Sequence, residues 1–193
     1  MKKEIEKIED GKLFVRITKG DEKALKELFD KYYSNLCYFS FQFLKSRELA
    51  QEAAADIFLN IWLKRKSILI NGSIKTYLYA SVRNQSINYL KKNSPEFVNT
   101  EEGQGSAVTF YLSASPEVEQ KELEIYIEKT LQKLPEKRQL IFRMSRIDGL
   151  SYAEIAEILK ISINTVQNQM VKAVKFMEKQ YPRLKKLFLF FSF

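Results

Sequence analysis

The chain has 193 residues, enough for one large or two small domains, with 32 basic and 24 acidic side chains. It contains no histidine and one cysteine, Cys37. That inventory excludes an internal disulfide, a zinc site built from histidine and cysteine, and any catalytic triad or dyad that needs an imidazole. Residues 1–92 hold 18 basic and 11 acidic groups, residues 93–130 hold 2 and 8, and residues 131–193 hold 12 and 5. Two basic blocks flanking an acidic joint point to two surfaces that each meet a polyanion. The amino terminus, MKKEIEKIED, is charged throughout and lacks the apolar centre of a secretory signal; no run approaches a membrane span, so a cytoplasmic location is expected.

Leu13, Phe14 and Ile17 predict a short opening helix that Gly20 ends, and Asp21 caps the next. Leu25, Leu28, Phe29, Tyr32, Leu36, Phe39 and Phe43 then form a long apolar stripe, with Cys37 as a buried thiol rather than a nucleophile. Ser46 caps a third helix, Arg47 to about Lys64, whose inner face includes Ala50, Ala53, Ala54, Ile57, Phe58 and Ile61; the alanines imply close helix packing. Glu52 and Asp56 share a more exposed face. Such a pair is solvated surface, a dock for a basic partner, or an acid–base pair, but no nucleophile or pocket supports the last. After Lys64-Arg65-Lys66 and a loop, Ser73 starts a fourth helix that interleaves Lys75, Arg83, Lys91 and Lys92 with Tyr77, Tyr79 and Tyr89. Basic groups of this kind track a nucleic-acid backbone, and aromatic or amide groups meet exposed bases; the competing reading is a helix with half-buried tyrosines. Trp62 reads as core before base-stacking.

Residues 93–116 are rich in Pro, Gly, Ser and Glu and lose periodicity, as in a flexible acidic linker. Ser115-Pro116 starts a helix with inner positions Val118, Leu123, Ile127, Leu131 and Leu134. Pro135 starts the next, with Leu140, Ile141, Met144 and Ile147 inward and Gly149 as its stop. Residues 150–175, LSYAEIAEILKISINTVQNQMVKAVK, then give two short helices around a tight turn. Ser151 and Glu154 form a capping box, and Ser162 caps the second helix. Ile163, Val166, Met170 and Val174 are its apolar stripe, which leaves Asn164, Thr165, Gln167, Asn168, Lys172 and Lys175 outward. Amides pair with adenine edges and lysines with phosphates, so the unit fits a helix-turn-helix; the alternative is an ordinary amphipathic hairpin. Lys160 stands at the turn, where a left-handed glycine is common. The last residues, RLKKLFLFFSF, are an apolar tail that either folds back on the second domain or docks a partner.

The whole layout resembles an extracytoplasmic-function (ECF) sigma factor of the sigma-70 family. Residues 50–65, AQEAAADIFLNIWLKR, are similar to the family's AEDVVQEVFLKLW-type segment, and residues 74–92 to its YLYxxVRNxxxxYLKK segment. Residues 131–175, with LPE, GLSYxEIAE and ISxxTV, are similar to region 4 along their length; alone, that string would also suit a free-standing LuxR-type regulator. NTVQNQM and the apolar carboxyl end resemble ECF proteins of Bacteroidetes. The resemblance implies an all-α fold of two small helical domains: region 2 over residues 1–93, a flexible acidic linker over 94–116, region 4 over 117–181, and a tail over 182–193.

It also implies roles. Glu52 and Asp56 stand at positions that grip the β′ clamp helices of RNA polymerase, with Ala55 where the family usually has Gln. The loop Lys66–Gly72 stands where a flipped base of the minus-10 element is pocketed, beside Asn84 and Asn88. Lys64, Arg65, Lys75 and Arg83 would hold the separated strand. The helix with Asn164, Thr165, Gln167, Asn168, Lys172 and Lys175 would read the minus-35 element. The implied partners are core RNA polymerase (β′ clamp helices and β flap), promoter DNA and an anti-sigma factor, often membrane-anchored. No cofactor, metal or catalytic residue is implied, because the polymerase makes the bonds. A nucleic-acid enzyme would need a metal cluster or an activated nucleophile, and the sequence offers neither.

Overall fold

The computed structural model describes residues 2–70, 72–93 and 127–180. The expected linker, the helix start at Ser115-Pro116 and the apolar tail lie outside them. The chain divides into two compact units, Met1–Phe110 and Tyr111–Phe193, and every regular element described is helical.

In the first unit, α1 (Lys2–Thr18), α2 (Glu22–Leu44), α3 (Arg47–Leu63) and α4 (Ile74–Asn93) pack around α2. Asp21 caps α2 by accepting the Lys23 and Ala24 amides at 3.0 and 3.2 Å, and Ser46 caps α3 through the Leu49 amide at 3.3 Å. Such caps satisfy amides that a helix start leaves unpaired. Leu28, Leu36 and Phe39 of α2, Ala53, Ala54 and Ile61 of α3, and Leu78, Tyr79 and Val82 of α4 form the core. The three buried alanines of α3 match the close packing expected of them. Between α2 and α4 a buried Ser40–Ser86 hydrogen bond of 2.8 Å and a Phe39–Tyr79 edge contact at 5.1 Å fix the register. Tyr79 is therefore core rather than half-buried, while Tyr77 and Tyr89 remain half-buried.

The opening helix is longer than its apolar residues predicted, because polar contacts hold its first half. Asp10 is buried and accepts from Tyr32 Oη and from Lys31 Nζ, the latter at 2.6 Å. Glu6 pairs with Lys75 at 2.8 Å and with Lys31 at 3.5 Å. Ile5 and Ile8 stay exposed, so no apolar periodicity marks this stretch.

In the second unit, helical residues 127–131 precede α5 (Glu136–Arg146), α6 (Tyr152–Leu159) and α7 (Ile163–Gln180). Leu131, Ile141, Met144, Leu150, Ile155 and Met170 are among its most buried large side chains. Ile147 is 40 % exposed instead of inward: α5 has already ended, and Gly149 turns the chain at φ +71°. The buried stripe of α7 is Val166, Met170, Ala173 and Met177. Ile163 is 46 % exposed and Val174 is half-buried, so the expected stripe holds at its centre and drifts at both ends.

Candidate nucleic-acid and polymerase interfaces

The α6–turn–α7 unit is built by its caps. Ser151 Oγ accepts the Glu154 amide at 3.3 Å while Glu154 Oε2 accepts the Ser151 amide at 2.9 Å. Lys160 takes the left-handed conformation (φ 55°, ψ 50°) and its amide closes α6 onto Ala156 and Glu157 carbonyls. A lysine thus occupies the geometry in which glycine is favoured, at a cost of about 1 kcal/mol. Ser162 Oγ then accepts the Thr165 amide at 3.1 Å and starts α7.

This start fixes the phase of α7. Asn164, Gln167, Asn168, Lys172 and Lys175 are exposed and bond no other described residue. Thr165 is half-buried, and its hydroxyl meets Ser162 Oγ at 2.8 Å. Positions 164, 167, 168, 171, 172 and 175 recur at helical spacing on one side. Sequence reasoning missed Val171, which lies on that side and is 53 % exposed. An aliphatic residue among amides and lysines suits contact with a thymine methyl; its neighbours at i−4, i−3, i+1 and i+4 were the available signal. Gln169, by contrast, faces α5 and accepts from Arg138 Nε at 3.1 Å.

In the first unit the predicted residues separate into two groups. Lys64, Asn84 and Asn88 are exposed, and Arg83 is half-buried. Arg65 lies over Trp62 with its guanidinium 4.3 Å from the ring centroid, and it donates to the Trp62 carbonyl at 2.7 Å. Trp62 is half-buried, with the Arg65 cation over its ring. Lys75 departs from expectation. Its side chain is 14 % exposed, paired to Glu6, and 5.7 Å from the Tyr32 ring centroid. It is committed to holding α1, a role set by an acid 69 residues away and invisible in local sequence. In the loop before α4, Lys66 is exposed and Leu69 is 88 % exposed.

On α3, Glu52 is exposed, whereas Asp56 is half-buried and engaged. Gln85 Nε2 and Tyr89 Oη of α4 donate to Asp56 Oδ2 at 3.0 and 2.8 Å. Burial, then the Asp56 bond and charge, push the Tyr89 hydroxyl up to about 12, so it remains a donor at neutral pH. Helix α4 therefore presents Asn84 and Asn88 outward while Gln85 and Tyr89 reach α3.

Comparison with known proteins agrees with this layout. Residues 28–96 match the family model of sigma-70 region 2, and residues 124–177 match that of sigma-70 region 4. The chain is 28 % identical over 173 residues to the ECF RNA polymerase sigma factor SigW of Bacillus subtilis, spanning 86 % of this chain and 92 % of that protein. It is 24 % identical over 177 residues to the ECF RNA polymerase sigma-E factor of Escherichia coli K12, spanning 87 % and 92 %. Among solved structures it shares the fold of CnrH in its complex with the cytosolic domain of CnrY, with a TM-score of 0.53, 16 % identity, and coverage of 89 % of this chain and 96 % of that one. The region 2 match disfavours a free-standing helix-turn-helix regulator, which region 4 alone would have allowed. The chain belongs to the sigma-70 family: it is an ECF sigma factor, which works with core RNA polymerase and promoter DNA to direct transcription initiation.

Proposed function

We propose that the two units divide this task between duplex and opened DNA. The exposed face of α7 reads the minus-35 element in the major groove: Asn164, Gln167 and Asn168 meet base edges, Val171 meets a thymine methyl, and Lys172 and Lys175 meet phosphates. Thr165 supports the helix start and lies at the phosphate side. In the first unit, Glu52 and Asp56 dock on the β′ clamp helices. Asn84, Asn88 and the loop Lys66–Gly72 receive a base extruded from the minus-10 element, and Lys64, Arg65 and Arg83 hold the separated strand. Extruding a base costs a few kcal/mol of unstacking, offset by contacts in its pocket and along the backbone. Lys75 acts through α1 rather than on DNA. The protein does no covalent chemistry; the polymerase does.

The observation that carries this reading is the face of α7, where five polar side chains stand together without internal partners. No helix among the described residues is long and apolar enough to cross a membrane; the cytoplasmic location is proposed from the sigma-factor role alone. CnrH, which shares this fold, was solved in complex with the cytosolic domain of CnrY; we assign an anti-sigma partner to this chain as well. Transcription reconstituted with core polymerase, followed by start-site mapping, tests the proposal. Added protein is expected to create a small set of new starts that share upstream motifs.

A further inference from the structure

Two donors converge on a single oxygen of Asp56. Gln85 Nε2 and Tyr89 Oη both bond Oδ2, at 3.0 and 2.8 Å, and no described residue bonds Oδ1. An untethered carboxylate on a helix samples several rotamers, and freezing it on association costs free energy. Glu52, one turn earlier, is exposed and has no such tether. The two bonds from α4 hold the Asp56 side chain in one orientation before any partner arrives, and they leave the second oxygen to accept from outside. The raised Tyr89 hydroxyl keeps its proton throughout the neutral range, so the arrangement persists under working conditions.

We infer that Gln85 and Tyr89 are positioning residues that aim the Asp56 carboxylate at a cationic donor on core RNA polymerase. This rests on the proposed docking role of Asp56. It gives α4 a second task beside the one assigned to Asn84 and Asn88.

The test is a double-mutant cycle on the full chain, with core-polymerase affinity measured by titration of labelled protein. Tyr89→Phe is expected to weaken binding roughly three- to ten-fold when Asp56 is present, and to change nothing in an Asp56→Ala background. An equal loss in both backgrounds overturns the inference, because the hydroxyl would then act only on the fold; no loss in either background overturns it as well. If Tyr89→Phe lowers the melting temperature, Gln85→Met, which keeps the side-chain volume, carries the same cycle. Asp56→Ala binding as tightly as wild type would instead overturn the docking role itself, and the inference with it.

Discussion

On α7, five exposed side chains wait without internal partners, while in the first unit Glu6, Asp10, Lys31, Lys75 and Asp56 are already bonded across helices. On the proposed assignment, the contrast follows from what each surface would meet. Duplex DNA presents a regular groove, so one rigid helix with free donors and acceptors suffices, and leaving those groups solvated costs nothing before binding. The surface proposed to meet polymerase and an opened strand together draws on α3, α4 and the intervening loop. Its groups cannot be arranged independently. The region 4 surface is therefore local and modular, and the region 2 surface is a coupled one.

The sharpest way to break that comparison is Asp56→Arg. It reverses the proposed docking charge and expels the Gln85 and Tyr89 bonds together, so core-polymerase affinity should fall by about 3 kcal/mol. Binding of minus-35 duplex, read by fluorescence anisotropy, should stay unchanged. Asn168→Ala or Gln167→Ala should do the opposite: a loss of about 1–3 kcal/mol confined to one minus-35 position, with polymerase binding intact. At Val171, replacing thymine with deoxyuridine at each minus-35 position should weaken wild-type binding at one of them, by about 1 kcal/mol or less, and Val171→Ala should erase that difference.

The same contrast decides what the sequence made legible. The capping box at Ser151 and Glu154, the Ser162 cap and the outward face of α7 follow from residues within one or two turns of each other, and all are found in place except Thr165, which is half-buried. The helices of the first unit and their caps at Asp21 and Ser46 were equally readable. The fates of Lys75 and Asp56 were not, since they depend on Glu6, Gln85 and Tyr89, which are close only after folding. The start of α1 was missed for the same reason: its buried anchor is an aspartate, and apolar spacing carries no trace of it.

Two smaller effects sharpen the account from the stability side. Lys160→Gly should stabilise the second unit by about 1 kcal/mol in thermal unfolding, because it removes a left-handed lysine that is exposed and bonds nothing through its side chain. In the first unit, burial would raise the Glu6 carboxyl, but the Lys75 hydrogen bond and the charges of Lys75 and Lys31 hold it below its ordinary 4.5. A depressed acid stabilises the fold above its unfolded value and loses that contribution as pH falls through the folded one. Wild type should therefore exceed Glu6→Gln in stability at neutral pH by up to about 1 kcal/mol, and the gap should shrink as pH drops below 4.5.

The separation of the two surfaces is tested most directly by measuring both affinities, for core polymerase and for minus-35 duplex, on both Asp56→Arg and Asn168→Ala. The account predicts a crossed result: each variant fails in one assay and matches wild type in the other. Equal losses by both variants in both assays would contradict it.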